Sequence, residues 1–383
     1  MIKISIIGIG NAGSQIAMLA KKSKEFPAIA INSSERDIDS VKGYIESIIF
    51  GDHEGAGKDR SIAKRFVAEN AAQMLGEEPL IDMINQTDYI FIVSSAAGGT
   101  GSGSAPIITD ILNQYYNSKL KKNEKGKVFI NIGILPSLGE SVGAQRNTAE
   151  YLAEMSALGG SFMLFDNDRV KGTPNKVFDT INRSVVDTLC LIRGDYSINS
   201  AFGMIDEKDM WKLVSQPGLI FVDILKEIYE EKIPENGSVE DMIIEHINKH
   251  SCMVKIDRDR IVKRLGYIGT LSEDVHSYFD ENLPKIRATY GEPIEDFRHF
   301  TVNEDDTESN MIAILMSGMS IPENRLKTIK HRIDDAEAAL SKQKSGSLLS
   351  GIIDSVQKYD STSEKKALRQ HSDFNLESIV GKY

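Results

Sequence analysis

Apolar residues fall in two rhythms along this chain. From residue 1 to about 170, short and mostly apolar runs alternate with stretches of helical spacing. Ile2–Ile7, Ala28–Ile31, Tyr89–Val93, Val128–Leu135 and Phe162–Phe165 have the length and composition of strands covered on both faces. Between them, Ser14–Lys22, Arg60–Leu75, Ala105–Tyr116 and Ala144–Ser156 read as helices; Ile16, Ala17, Leu19 and Ala20 mark the buried side of the first. Strands alternating with helices predict an α/β fold with a doubly wound, mostly parallel sheet. Asn175–Arg193 then carries Val177, Phe178, Ile181, Val185, Leu189 and Ile192 at helical spacing, which predicts one long helix connecting two domains. A second α/β region follows, about 205–320, with strands expected near Cys252–Ile256, Leu265–Thr270 and Met311–Met316.

The C-terminal part differs. Pro322 opens a helix with Leu326, Ile329, Ile333, Ala336 and Leu340 on one stripe. Ser345-Gly346-Ser347 interrupts it, Leu348–Tyr359 reads as a short amphipathic helix, and 360–383 has few apolar anchors. The expected units are therefore 1–172, a central helix 173–198, 199–320, a C-terminal helix 321–345 and an interaction tail 346–383.

Composition narrows the classes. A chain of 383 residues, 41% hydrophobic and 26% charged, is an ordinary globular protein with room for two cores. Its net charge of −11 argues against direct coating by nucleic acid. Residues 321–383 hold 11 Lys/Arg against 9 Asp/Glu, so this part is +2 and the rest −13. That asymmetry suggests an interaction segment; a solvated helix face is the plainer reading. The two cysteines, Cys190 and Cys252, sit in apolar contexts and fit a reducing cytoplasm. The chain opens on a strand with no signal peptide pattern, and no apolar run reaches the ~20 residues of a membrane helix, so membrane insertion is not expected.

Chemistry concentrates in two glycine-rich loops. Gly8-Ile9-Gly10-Asn11-Ala12-Gly13 follows the first strand, and Gly98-Gly99-Thr100-Gly101-Ser102-Gly103 follows the third. A phosphate chain requires backbone N–H donors at a helix start, and glycine allows that close approach. The first loop alone fits the dinucleotide fingerprint of a hydride-transfer enzyme. That reading needs an acid ending the second strand, which here ends Ile31-Asn32-Ser33-Ser34, with Glu35 one step later. The second loop lacks the Gly-Lys-Ser/Thr ending of a P-loop.

Ala97-Gly98-Gly99-Thr100-Gly101-Ser102-Gly103 resembles the signature loop G-G-G-T-G-[ST]-G of the tubulin/FtsZ superfamily of GTP-dependent filament proteins, with Ala97 in place of the leading glycine. The resemblance implies a GTP/GDP site with Mg²⁺. It places Gly10, Asn11, Ala12 and Gln15 by the phosphates, and Gly98, Gly99, Thr100, Gly101, Ser102 and Gly103 around them. Ala28–Ser33, including Asn32, resembles the second nucleotide loop. Gly55-Ala56-Gly57-Lys58 resembles the third, which senses the γ-phosphate, so Gly57 and Lys58 join the site. Asp166-Asn167-Asp168-Arg169 resembles a loop near the ribose, bringing in Asn167 and Asp168. In Phe178-Asp179-Thr180-Ile181-Asn182, the resemblance has Phe178 stack on guanine and Asn182 read its edge; i and i+4 share a helix face.

Asp206-Glu207-Lys208-Asp209 resembles the family's catalytic loop N-x-D-x-x-D, with Met204 at the Asn position. The resemblance implies that Asp206 and Asp209 act in the next subunit's site, so hydrolysis requires head-to-tail assembly of a homopolymer. The plainer reading is that Asp206 caps a helix running through Trp211 and Val214. The ending Asn375–Tyr383 does not look like the C-terminal peptide of cell-division FtsZ proteins. The helix after Pro322, with Gly-Thr-Gly-Ser-Gly-Ser-Ala-Pro at 99–106, is more similar to the TubZ branch, plasmid- or phage-encoded bacterial filaments that segregate DNA. In that branch the C-terminal tail engages a DNA-binding adaptor, so DNA is reached indirectly. An FtsZ-like cell-division ring, a nucleotide-binding metabolic enzyme and a non-filamentous regulatory GTPase are the alternatives.

Overall fold

The computed structural model describes residues 2–118, 120, 126–195, 206–257, 261–303 and 310–346. Met204, the residues just before Asp206, and the tail from 347 onward, including the Leu348–Tyr359 expectation, lie outside the described residues.

In the first half, strand and helix alternate in chain order. β1 (Ile4–Ile9) leads to α1 (Gly10–Lys24), β2 (Ala28–Asn32), α2 (Glu35–Asp39) and β3 (Glu46–Ile49). Then come α3 (Arg60–Leu75), α4 (Glu78–Gln86), β4 (Tyr89–Ser95), α5 (Thr100–Asn117), β5 (Val128–Leu135), α6 (Val142–Leu158) and β6 (Ser161–Asp166). A 3₁₀ turn, Asn167–Arg169, precedes α7 (Pro174–Arg193). After it come α8 (Glu207–Ser215), β7 (Gly218–Lys226), α9 (Val239–Lys249), β8 (Arg264–Ser272), α10 (Glu273–His276), α11 (Pro284–Tyr290), β9 (Glu295–Asn303), β10 (Met311–Met319) and α12 (Glu323–Gly346).

Among the described residues, ten strands join one sheet, in the order β3-β2-β1-β4-β5-β6-β7-β10-β8-β9. From β3 to β6 every pairing is parallel. Strands β1, β4 and β5 are buried almost throughout, as the unbroken apolar runs predict. The order reverses between β1 and β4. Right-handed crossovers that leave this point in opposite directions put α1 and α5 on opposite faces of the sheet. Packing agrees: α1 lies against α7, whereas α5 lies against α3 and α6. The sheet continues into β7 by a short parallel register, Ser161 with Gly218 and Phe162 with Leu219. Beyond it, β10 runs antiparallel to both β7 and β8, and β9 runs parallel to β8.

Several expectations were displaced. α1 and α5 start at Gly10 and Thr100, inside the glycine loops rather than after them. The expected strand Cys252–Ile256 forms no ladder; only Met253 bridges Phe165. β3, β7 and β9 were not among the expected strands; β9 has a mixed pattern, whereas β7 carries the apolar run Leu219–Val222.

Candidate nucleotide site

At the carboxyl ends of β1 and β4, the N-termini of α1 and α5 converge from opposite faces. Neither helix has a side-chain cap or an acidic residue in its first turn. First-turn N–H groups have no intrahelical acceptor, and the two helix dipoles add positive potential at one point. Such an arrangement favours an anion.

The loops touch. A Cβ on Gly101 would meet the Ile9 carbonyl at 3.0 Å, and one on Gly99 would meet the Lys58 Cα at 2.8 Å. Glycine at 101 therefore permits contact with the first loop, not the direct approach of a ligand. Gly98 has the opposite environment: a Cβ there would meet nothing within 4 Å.

A cavity of about 620 Å³ opens at this point, in the size range of small-molecule sites. Of the residues singled out from sequence, Gly10, Asn11, Ala12, Gln15, Gly57, Lys58, Gly98, Gly99, Thr100, Gly101, Asn167, Phe178 and Asn182 all line it. Phe178 is half exposed. Asn167 is buried, and its side-chain oxygen has no hydrogen-bond partner. Phe178 and Asn182 lie on α7, on the α1 face, while the loop 55–58 leads into α3 on the α5 face. The cavity thus crosses the top of the sheet, with the aromatic wall at one side and Lys58 at the other.

Other predicted residues lie behind the cavity wall. Asn32 is buried; its oxygen accepts from Ser33 N at 2.8 Å and Ser34 N at 3.3 Å, shaping the second loop. Ser102 points into the α3–α5 contact and donates to the Gly98 carbonyl. Gly103 faces α3, where a Cβ would lie 2.7 Å from the Arg60 carbonyl. Asp168 accepts from Leu138 N at 3.2 Å and lines a neighbouring cleft with Asp166 and Arg325.

Sequence reading missed the supports. Pro106 lies inside α5 and has no N–H, so the Ser102 carbonyl one turn earlier loses its donor. Arg60, 3% exposed, replaces it: its Nη2 donates to Ser102 O at 3.0 Å and its Nε to Ser102 Oγ at 3.1 Å. Glu150 and Glu154 of α6 neutralise the guanidinium, each at 2.6 Å. A proline within a helix was the available signal. Asn147 gave none, yet its Nδ2 lies 3.0 Å from Lys58 O, 3.0 Å from Ala97 O and 3.2 Å from Gly98 O. Lys58 itself has φ 66°, a left-handed conformation that costs about 1–2 kcal/mol for a residue with a side chain.

At the end of β6, Asp166 pairs with Arg325 of α12, Oδ2 to Nε at 2.8 Å, both nearly buried. Burial raises the Asp166 carboxyl above its ordinary pKa, and the guanidinium opposes the shift. Arg325 also donates to the carbonyl of Pro136, a cavity-lining residue, at 2.6 Å.

Asp206 and Asp209 are elsewhere. The ring of Trp211 on α8 lies 5.4 Å from that of Tyr89, the first residue of β4, whereas Ser95, the last, lines the cavity. Arg264, the first residue of β8, donates to the Lys212 carbonyl at 2.5 Å. α8 therefore sits at the amino ends of the strands, roughly 20 Å from the cavity along seven residues of β4. Asp206 caps it, accepting from Lys208 N at 2.7 Å and Asp209 N at 2.9 Å.

The family model described as "Tubulin/FtsZ family, GTPase domain" matches residues 3–173. Over residues 3–173 the chain is similar to that domain. The chain as a whole has the tubulin/FtsZ fold. It is 23% identical over 264 residues to tubulin-like protein CetZ1 of Haloferax volcanii, 62% of each chain. It is 27% identical over 221 residues to the tubulin-like protein TubZ of Clostridium botulinum C phage, 56% of this chain and 57% of that one. The matches thus span about three-fifths of these curated relatives. Among solved structures, the GTPγS-form protofilament of Bacillus thuringiensis serovar israelensis TubZ aligns with TM-score 0.72 at 17% identity, over 90% of this chain and 94% of that one. The GTPγS-bound CetZ2 protofilament of Haloferax volcanii aligns with TM-score 0.67 at 17% identity, over 88% of this chain and all of that one. In this domain, the two glycine loops and the loop 55–58 of the tubulin/FtsZ resemblance form three walls of one cavity.

Proposed function

We propose that the chain is a GTP-hydrolysing filament protein whose hydrolytic site is completed between subunits stacked head to tail. One observation carries the reading: the cavity and the Asp206–Asp209 segment lie at opposite ends of the sheet. No side-chain rotation spans roughly 20 Å, so these acids reach a nucleotide only in another copy. A heterologous contact of this kind propagates as a filament unless it closes into a ring. Relatives described as protofilaments support it.

Within one subunit, Phe178 offers a ring for the guanine base, Asn182 a polar edge, and Asn167 a free acceptor for a base or ribose donor. The phosphates lie over the starts of α1 and α5, and the terminal one reaches Lys58 and Gly57. Asp206 and Asp209 of the next copy orient water against that phosphate. Such chemistry is largely positioning and charge stabilisation. Among the described residues, no three His, Cys, Asp or Glu gather to hold a metal ion. Mg²⁺ would rest on phosphate oxygens and water with Gln15 nearby, where it would neutralise phosphate charge.

For the biological task, we favour segregation of plasmid or phage DNA in a bacterial cytoplasm, through a DNA-binding adaptor held by the tail 346–383. The similarity to TubZ structures supports this branch. A cell-division ring is the alternative, supported by 24% identity over 233 residues to cell division protein FtsZ 1 of Pyrococcus woesei. Binding of tail-deleted and full chains to a DNA-bound or a membrane adaptor separates the two. Among the described residues, no helix is long and apolar enough to cross a membrane.

The testing experiment is GTP turnover against protein concentration, with sedimentation of the same samples. Turnover near zero below a critical concentration, rising with pelleted polymer, is expected. Constant turnover per molecule on dilution, with nothing pelleting, refutes an intersubunit site.

A further inference from the structure

Asn147 stands outside the cavity, yet it touches two of the cavity's walls. Its amide nitrogen has three carbonyl oxygens within 3.2 Å: Lys58 O in the loop before α3, and Ala97 O and Gly98 O in the glycine loop before α5. All three neighbours are acceptors, so the amide must present its two N–H groups and not its oxygen. One side chain therefore pins together two loops that have no strand ladder between them.

The pinned segment is under conformational tension. Gly57 and Lys58 follow one another at φ 55° and φ 66°. Gly57 faces open space, whereas Gly99 is packed on the Lys58 backbone. The contact has a second support one turn deeper, where Arg60 bridges Ser102 of α5 to Glu150 and Glu154 of α6. Asn147, Glu150 and Glu154 lie at i, i+3 and i+7, one face of α6. That face reads the relative position of the starts of α3 and α5 at two depths.

The cavity's aromatic wall, Phe178, is on the α7 face, and Lys58 is on the opposite face beyond the two helix starts. Laid across this cavity with its base at Phe178, a nucleoside triphosphate would extend one phosphate further toward Gly57 and Lys58 than a diphosphate. From this we infer that Asn147 is a positioning residue that holds the Gly57–Lys58 backbone where it can receive the terminal phosphate, and so sets the preference for nucleoside triphosphate over diphosphate. The inference rests on the nucleotide-binding reading above.

The test is Asn147→Asp, which keeps shape but turns the donor into a carboxylate facing three carbonyl oxygens. Affinities of the full-length chain for GTPγS and GDP are measured below the concentration at which anything pellets, with thermal unfolding of the same samples. The expected result is a fall in GTPγS affinity of about tenfold, of the size seen when a hydrogen bond at a charged site is lost, with GDP affinity changed less than about twofold. Asn147→Ala gives the same direction with a smaller fall, and Asn147→Gln restores part of the preference. An unchanged GTPγS-to-GDP ratio in Asn147→Asp overturns the inference. So does an equal fall for both nucleotides, which would mark a general support of the glycine loop. A wild-type chain that binds neither nucleotide defeats the nucleotide reading itself, and the inference with it.

Discussion

Asp206 carries two roles that one pair of substitutions can separate. Its carboxylate accepts from Lys208 N and Asp209 N and so caps α8. Removing an N-cap oxygen costs about 1 kcal/mol, whereas Asn caps as well as Asp. Losing only the charge at a helix start costs about 0.3–1 kcal/mol at an exposed site. Asp206→Ala is therefore expected to lower stability by about 1–2 kcal/mol, and Asp206→Asn by a few tenths to about 1. In a chain of this size the alanine variant melts only a few degrees lower, about 2–4 °C per kcal/mol or less. Catalysis should respond in another order. If Asp206 orients water in the neighbouring subunit, both variants lose turnover by about 100-fold or more, since amide and methyl alike remove the charge. GTP binding by the isolated subunit should be unchanged in both, because the cavity lies at the far end of β4. The assay is GTP turnover at a concentration where the wild type pellets, alongside GTPγS affinity and thermal melts. Polymers of the variants should persist after GTP addition. An Asp206→Asn chain that hydrolyses GTP at the wild-type rate refutes the reasoning, and leaves Asp206 as a helix cap alone.

Phe178→Ala should weaken GDP and GTPγS about tenfold each if, as proposed, the half-exposed ring stacks on the base and not on a phosphate; its melting temperature should be unaltered, and a nucleotide affinity equal to wild type would remove Phe178 from the site. A pH effect is expected at the α9–α11 contact. The Lys285 ammonium, with hydrogen bonds from Ser238, holds the Asp241 carboxyl below its ordinary value. A lowered folded-state pKa gives stability that is present above the ordinary carboxylate range and is lost as pH falls through the folded value. The urea midpoint difference between wild type and Asp241→Asn should thus be constant near neutrality and shrink in acid below about pH 4; a difference that grows on acidification would contradict the sign.

Much of the site could be read without coordinates because its elements are local. A strand, a run of glycines and a helix start are specified by neighbours in the chain, and Gly8–Gly13 and Gly98–Gly103 each contain all three. Helix α3, Arg60–Leu75, and strand β5, Val128–Leu135, have the bounds their patterns predict. Expectation failed where distant residues decide. Glycine disfavours helix by propensity, so α1 and α5 were expected to begin later; packing of each loop against the other started them at Gly10 and Thr100. Cys252–Ile256 has strand composition but crosses the end of β6, and it finds one bridge and no ladder.

The residues' order along the chain determined that two glycine-rich loops follow strands, that α/β alternation surrounds them, and that an acid pair follows the long helix. It did so because glycine permissiveness, apolar period and helix capping act over a few residues. Only the tertiary structure decided that both loops meet at the reversal of strand order, that Arg60 replaces the donor missing at Pro106, and that Asn147 joins two loops fifty and ninety residues away in the chain. It also decided that Asp206 and Asp209 lie at the far end of the sheet from the cavity of their own chain. Those facts depend on which strands pair and which faces the crossovers cover, and strand pairing is set by burial summed over the whole sheet rather than by any one segment.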